Sequence, residues 1–206
     1  MIEKIRKNNI IIIDWDDTLY PTTWINKNKI NFTDKIIKEN YMLFLKDLDN
    51  SISNLLINLN RRSDIYIITN ASISWINTCL ISLPKTENTI NNGNIRKISA
   101  RDIYQSKYQA KDWKILTFSN LIKDISNKVD NNDILNIISL GDADYEYNAL
   151  LNIDNLNIDN RFLLKSIKFI TKPEYNYILD QIEFINENYN NIIDKFGFID
   201  LIIDTK

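Results

Sequence analysis

Short apolar, β-branched runs alternate along the chain with longer stretches in which apolar residues recur every three or four positions. Ile10 to Asp14 places four consecutive isoleucines before a carboxylate. A run that is apolar at every position reads as a strand buried on both faces. Comparable runs at Ile65 to Ile68, Ile95 to Ser99, Ile134 to Leu140, Leu164 to Ile170 and Phe198 to Ile203 predict further strands. Between them the period becomes helical. Ile37, Tyr41, Phe44, Leu48, Ile52, Leu55 and Leu59 predict one long helix, capped by Thr33 or Asp34, ending at Arg61-Arg62, with Asn50-Ser51 as its point of interruption. Helices are also predicted over Ser72 to Leu80, closed by Pro84, over Trp113 to Ile125 with Trp113, Leu116, Leu121 and Ile125 inward, over Tyr145 to Leu151, and over Pro173 to Phe196. Pro21 to Phe32 reads as a loop or hairpin, and a polar loop is expected from Pro84 through Asn94. Strands alternating with helices imply an α/β chain with a mainly parallel central sheet, a Rossmann-like three-layer sandwich.

Composition narrows the class. At 206 residues, with 44% hydrophobic and 25% charged residues, the chain suits one globular domain with a full core, taken as 1–206. A net charge of −2 supplies no field that would recruit an anionic membrane, and leaves nucleic acid to local patches. Met1 to Asn9 is short and charged, and the apolar run after it stops at Asp14, which predicts neither a cleaved leader nor a membrane span. The lone Cys79 predicts no internal disulfide and a reducing, cytoplasmic compartment.

Absences narrow the chemistry further. Without histidine, Ser-His-Asp and Cys-His catalysis are excluded, as are zinc sites of imidazole and thiolate. Gly93, Gly141 and Gly197 are the only glycines, too few for a P-loop or a dinucleotide fingerprint. Carboxylate, lysine, hydroxyl and amide groups remain.

The carboxylates cluster where the strand pattern gives them meaning. Asp14, Asp16 and Asp17 follow the first isoleucine run directly, at the strand end where open parallel sheets place their ligands. Burying that much like charge costs free energy unless a cation compensates, and a divalent metal is the simplest such cation. Thr69-Asn70 ends the second strand, Lys114 opens a helix, and Gly141-Asp142-Ala143-Asp144-Tyr145-Glu146 ends the fourth strand in spaced acids.

In order and in context these segments resemble the haloacid-dehalogenase-like (HAD) superfamily, over about Ile10 to Leu150. Asp14-Trp15-Asp16-Asp17-Thr18 has its Asp-x-Asp-x-Thr form. The resemblance implies that Asp14 is the nucleophile and becomes an aspartyl-phosphate. It implies a Mg²⁺ ion held by the Asp14 and Asp142 carboxylates and the Asp16 backbone carbonyl, with Glu146 or Asp144 in support. Asp16 is then the general acid and base, and aspartate at that place favours hydrolysis. Thr69 and Lys114, with Arg101, Lys107 and Lys111 as neighbouring alternatives to the lysine, hold the phosphoryl oxygens, and Asn70 joins the substrate contacts. Trp15, Trp24, Trp75 and Trp113 are expected to pack, with Trp24, in the loop facing the site, the best candidate among them to meet substrate instead.

The implied activity is Mg²⁺-dependent hydrolysis of a phosphate monoester. Two other readings stand beside it: a phosphotransferase using the same residues, and a catalytically silent HAD-like binding protein. Neither Tyr20 to Asp64 nor Ala71 to Asp112 has room for a large cap domain, and the resemblance implies that a capless or minimal-cap member acts on large phosphorylated substrates or borrows a lid from another subunit. The expected partner is therefore a phosphorylated substrate, macromolecular in the first case. Oligomeric state is not encoded in any of these patterns.

Overall fold

The computed structural model describes residues 7–31, 34–130, 132–155 and 161–203, and the predicted Thr33 cap lies outside them. Six parallel strands form one sheet: β1 (Lys7–Ile13), β2 (Asp64–Thr69), β3 (Arg96–Ser99), β4 (Ile134–Gly141), β5 (Phe162–Lys168) and β6 (Ile199–Ile202). Their spatial order is β3-β2-β1-β4-β5-β6, so β1 is central, between β2 and β4. Ile13 pairs with Ile67 on one side and with Leu140 on the other. The register therefore brings the ends of all three strands level.

The isoleucine run of β1 serves both faces. Ile11 and Ile13 enter one core cluster, Ile10 and Ile12 the other, as the two-residue strand period requires. On the first face lie α3 (Met42–Asn60), α4 (Ile73–Leu80), α5 (Pro84–Asn92) and α9 (Tyr175–Asp194), through residues such as Leu48, Ile76, Ile90 and Ile182. On the second lie α6 (Ala100–Tyr104), α7 (Ala110–Ser126) and α8 (Asp144–Asp154), through Ala100, Phe118, Ile122 and Leu150. The three-layer α/β sandwich is thus the fold. Each fully buried isoleucine contributes about 1.5–3 kcal/mol relative to exposure.

The α8 and α9 crossovers both step outward along the sheet, from β4 to β5 and from β5 to β6, but pass over opposite faces. They are therefore of opposite hand. The crossovers over α3, α4–α5, α7 and α8 share one hand, and α9 departs from it.

Several local expectations are corrected. The long helix is two, α2 (Lys35–Asn40) and α3, and the break falls at Tyr41, not at Asn50-Ser51. Tyr41 packs edge-on to Trp24 and Phe44, while Asn50 faces outward and accepts from Lys85 Nζ at 2.6 Å. Asp34 Oδ1 accepts the Ile36 N–H at 2.9 Å, and Arg61 ends α3. Pro21 to Phe32 contains a helix, α1 (Thr22–Lys27), and the expected polar loop after Pro84 is α5, with Pro84 at its first turn. In α7 the fully buried face is Lys114, Thr117, Phe118 and Ile122; Trp113, Leu121 and Ile125 flank it half-buried, and Leu116 is outside that cluster. The last helix begins at Tyr175, after Pro173, and ends at Asp194, before Phe196. Among the described residues no helix is long and apolar enough to cross a membrane.

Candidate active site and metal centre

Asp14 is the first residue beyond β1, and its N–H donates to the Leu140 carbonyl of β4 at 2.9 Å. The chain then folds back on itself: the Leu19 and Tyr20 N–H groups both donate to the Trp15 carbonyl, and the Trp15 indole, fully buried, stacks on Tyr20. Asp17 sits in the left-handed region, with φ of 56°. Its carboxylate accepts from Thr23 N at 2.8 Å and from Thr23 Oγ1 at 2.5 Å, closing the N-terminus of α1. The third aspartate of the motif is thus a helix cap.

The first two aspartates face a cleft of about 570 Å³ at the C-terminal ends of the strands. Thr69, Asn70, Lys114, Asp142 and Glu146 line the same cleft, whereas Trp24 and Asp144, also singled out from the sequence, do not. Lys114 is 2% exposed, with its Nζ 2.7 Å from Asp14 Oδ1 and also paired to Glu146 Oε1. Burial pulls the Lys114 ammonium down, but the charges of Asp14 and Glu146 outweigh it and hold it charged well above the usual lysine range. Asp14 is pushed well up by burial, against the pull of Lys114. Asp142 is pushed up to about 7 by burial and then by the charges of Glu146 and Asp17.

Asp14, Asp142 and Glu146 form one buried acidic cluster, each offering a carboxylate oxygen within 4.8 Å of the others. Lys114 is one positive charge among three carboxylates. The cluster is undercompensated, and hard oxygen donors at this spacing suit a hard divalent cation. Glu146 reaches it because β4 ends in Gly141: a Cβ there would lie 2.3 Å from Glu146 Cγ. Glu146 Oε2 also accepts the Ala143 N–H at 3.2 Å at the start of α8. Asp144 turns outward and pairs with Lys168, so of the two acids left open in the sequence it is Glu146 that joins the cluster.

The Asp16 carboxylate is outside that cluster. It accepts from Thr22 Oγ1 at 2.5 Å and Trp75 Nε1 at 2.7 Å on Oδ1, and from Thr69 Oγ1 at 3.0 Å on Oδ2. Thr69 Oγ1 in turn accepts the Ala71 N–H at 2.8 Å. Asn70 Nδ2 lies 3.5 Å from the Ala110 carbonyl at the start of α7.

The tryptophan at the site is Trp75, not Trp24. Trp24 stacks on Phe44 and packs against Tyr41 and Tyr175, an aromatic cluster among helices. Trp75 stands at the third position of α4, after the Ser72 cap, where a side chain leans back toward the helix N-terminus and hence toward the strand ends. That placement, directly after Thr69, is the sequence signal that marks it. Comparison of the chain with protein-family models, with curated proteins and with solved structures finds no match, so the reading of this cleft rests on its own side chains.

Proposed function

We propose that the chain is a Mg²⁺-dependent phosphatase of HAD-like type, hydrolysing a phosphate monoester through an aspartyl-phosphate on Asp14. The observation that carries this reading is the meeting, around one cleft, of a carboxylate paired with a buried lysine, an acidic cluster, a separately held second carboxylate and a strand-end hydroxyl. Asp14, Asp142 and Glu146 are the residues that would hold the metal, together with the Asp16 backbone carbonyl that the HAD resemblance adds. When bound, Mg²⁺ neutralises the repulsion between carboxylate and phosphate and polarises the phosphoryl group.

The residues divide the chemistry. An Asp14 carboxylate oxygen attacks phosphorus, and the ester P–O bond breaks with its electron pair on the leaving oxygen. That oxygen takes a proton from the Asp16 carboxyl group, and the alcohol departs. Water then attacks the aspartyl-phosphate, gives its proton to the Asp16 carboxylate, and inorganic phosphate leaves as the Asp14 carboxylate is restored. Lys114 keeps Asp14 oriented and offsets the charge gathering on the phosphoryl oxygens, with Thr69 and Asn70 beside it. With the cleft open and no large cap over it, a phosphorylated macromolecule is the substrate class favoured.

The test is turnover of p-nitrophenyl phosphate with Mg²⁺, after chelation, and after Mg²⁺ is returned. Activity should vanish with chelator and come back with the ion. Equal activity in chelator removes the metal from the mechanism. Inertness toward a full panel of phosphate monoesters, with Mg²⁺ still bound, replaces the enzyme with a binding protein of the same fold.

A further inference from the structure

Asp16 does not hang free in the cleft. Three donors from three elements hold its carboxylate: Thr22 at the start of α1, Thr69 at the end of β2 and Trp75 in α4. The two hydroxyls can rotate, and Thr22 Oγ1 already has the Tyr20 carbonyl within 3.5 Å as another acceptor. The indole cannot. Its N–H is a donor only, fixed in the ring plane. The ring itself packs edge-on to Tyr20 at 6.2 Å, and Tyr20 is buried and stacked on Trp15. The orientation of the carboxylate is therefore set by an aromatic stack that reaches into the core.

The pattern of acceptance also separates the two oxygens. Oδ1 receives two short hydrogen bonds, at 2.5 and 2.7 Å, which engage both of its in-plane lone pairs. Oδ2 receives one, at 3.0 Å, from Thr69. A proton exchanged with substrate or water must therefore sit on Oδ2, on the side where Thr69 faces the cleft.

We propose that Trp75 is a positioning residue for proton transfer by Asp16: its indole N–H fixes Oδ1 and thereby presents Oδ2 to the leaving oxygen. The inference rests on the phosphatase reading. It also gives a requirement that the chemistry makes visible. A p-nitrophenolate leaves without a proton, whereas an alkoxide needs one as the P–O bond breaks. For either ester kcat/KM covers the steps through departure of the alcohol or phenol, and excludes the later attack of water.

The experiment compares kcat/KM of wild type and Trp75→Phe on p-nitrophenyl phosphate and on n-propyl phosphate, with Mg²⁺. Trp75→Phe keeps an aromatic ring against Tyr20 and deletes the donor. The loss on n-propyl phosphate should exceed the loss on p-nitrophenyl phosphate by at least about tenfold, in the same direction as Asp16→Asn and no larger, since positioned proton transfer contributes roughly a hundred-fold or more. Equal losses on both esters overturn the inference, because a merely structural role does not distinguish leaving groups. A wild type inert on both overturns the phosphatase reading, a failure seen before any variant is made. If Trp75→Phe does not fold by circular dichroism, Trp75→Met decides the matter. It keeps an apolar side chain at the same place and removes the indole N–H, the same split is expected, and equal losses again overturn the inference.

Discussion

At the scale of single residues, the site stores uncompensated negative charge, and this has a pH signature. Asp142 has an ordinary carboxyl pKa of 3.8 when exposed and about 7 in the folded protein, because burial and the neighbouring Glu146 and Asp17 charges disfavour its anion. Asp14 is shifted in the same direction. A folded pKa above the unfolded one means the folded state holds the proton more tightly. The stability this contributes is fully present below pH 3.8 and is lost as pH rises through about 7. Metal-free protein should therefore lose resistance to urea between about pH 4 and pH 7, and Asp142→Asn should flatten that decline. A wild-type curve that rises over this window would show the carboxylates to be better compensated than their surroundings imply. The aspartates of the cleft were largely legible in the sequence, because Asp14, Asp16 and Asp142 closely follow apolar runs and chain order alone puts them at strand ends. Thr22 and the choice of Glu146 over Asp144 were not, and Trp75 was marked only by its place in the helix that follows Thr69. Each depends on which way a side chain points once an element has docked, and no local period encodes that.

At the scale of elements, the same distinction separates the strands from the helices. All six strands overlap runs predicted as strands, with the Ile10–Ile13 run apolar throughout because β1 is covered on both faces. Of the helices that the pattern missed, α6 has its cap beside it in Ser99 but is only 5 residues long, whereas α1 and α5 are capped from elsewhere. The Asp17 carboxylate closes α1, and Asp49, from the middle of α3, accepts the Lys85 and Thr86 N–H groups at 3.0 and 2.8 Å to close α5. A cap supplied through tertiary structure leaves no capping residue beside the helix to read. The last turn of α9 shows the converse, a helix end served by a strand. Lys165 of β5 is fully buried and donates from Nζ to the Ile192 and Ile193 carbonyls, where the helix dipole favours a cation. Asn136 Nδ2 supports Ile193 from β4 at 3.2 Å. Lys165→Met fills the volume but withdraws the cation and its donors from carbonyls that water cannot reach. It should destabilise the fold by about 1–3 kcal/mol, read as a lower urea midpoint, while turnover of p-nitrophenyl phosphate at low temperature stays at the wild-type level. An unchanged midpoint would mean that burying the ammonium costs as much as its hydrogen bonds return.

At the scale of the whole molecule, the sheet makes the acidic cluster, and a cation held by that cluster would in turn make the fold responsive to metal. In the unfolded chain Asp14 lies more than a hundred residues from Asp142 and Glu146; parallel pairing of β1 with β4, with Ile13 level with Leu140, brings them together. A cation that binds the gathered carboxylates and ignores the dispersed ones stabilises the folded state by mass action, by about 2.7 kcal/mol at a hundred times its dissociation constant. For a chain of 206 residues each kcal/mol moves the melting midpoint by about 2–4 °C, so saturating Mg²⁺ should raise it by about 5–10 °C. Asp14→Asn separates the contributions. It removes one carboxylate of the cluster and the proposed nucleophile, so turnover should fall by several orders of magnitude and most of the Mg²⁺ shift should disappear. Its metal-free melting point should equal or exceed that of wild type, because burial penalises the Asp14 charge more than Lys114 favours it, as the direction of its shift records. Asp16→Asn should keep most of the Mg²⁺ shift and still slow turnover, since its carboxylate is held by Thr22, Thr69 and Trp75 on the other wall of the cleft. A full Mg²⁺ shift in Asp14→Asn would move the cation away from the end of β1 and with it the assignment of the nucleophile; the opposite pair of results ties metal, fold and chemistry to the same strand end.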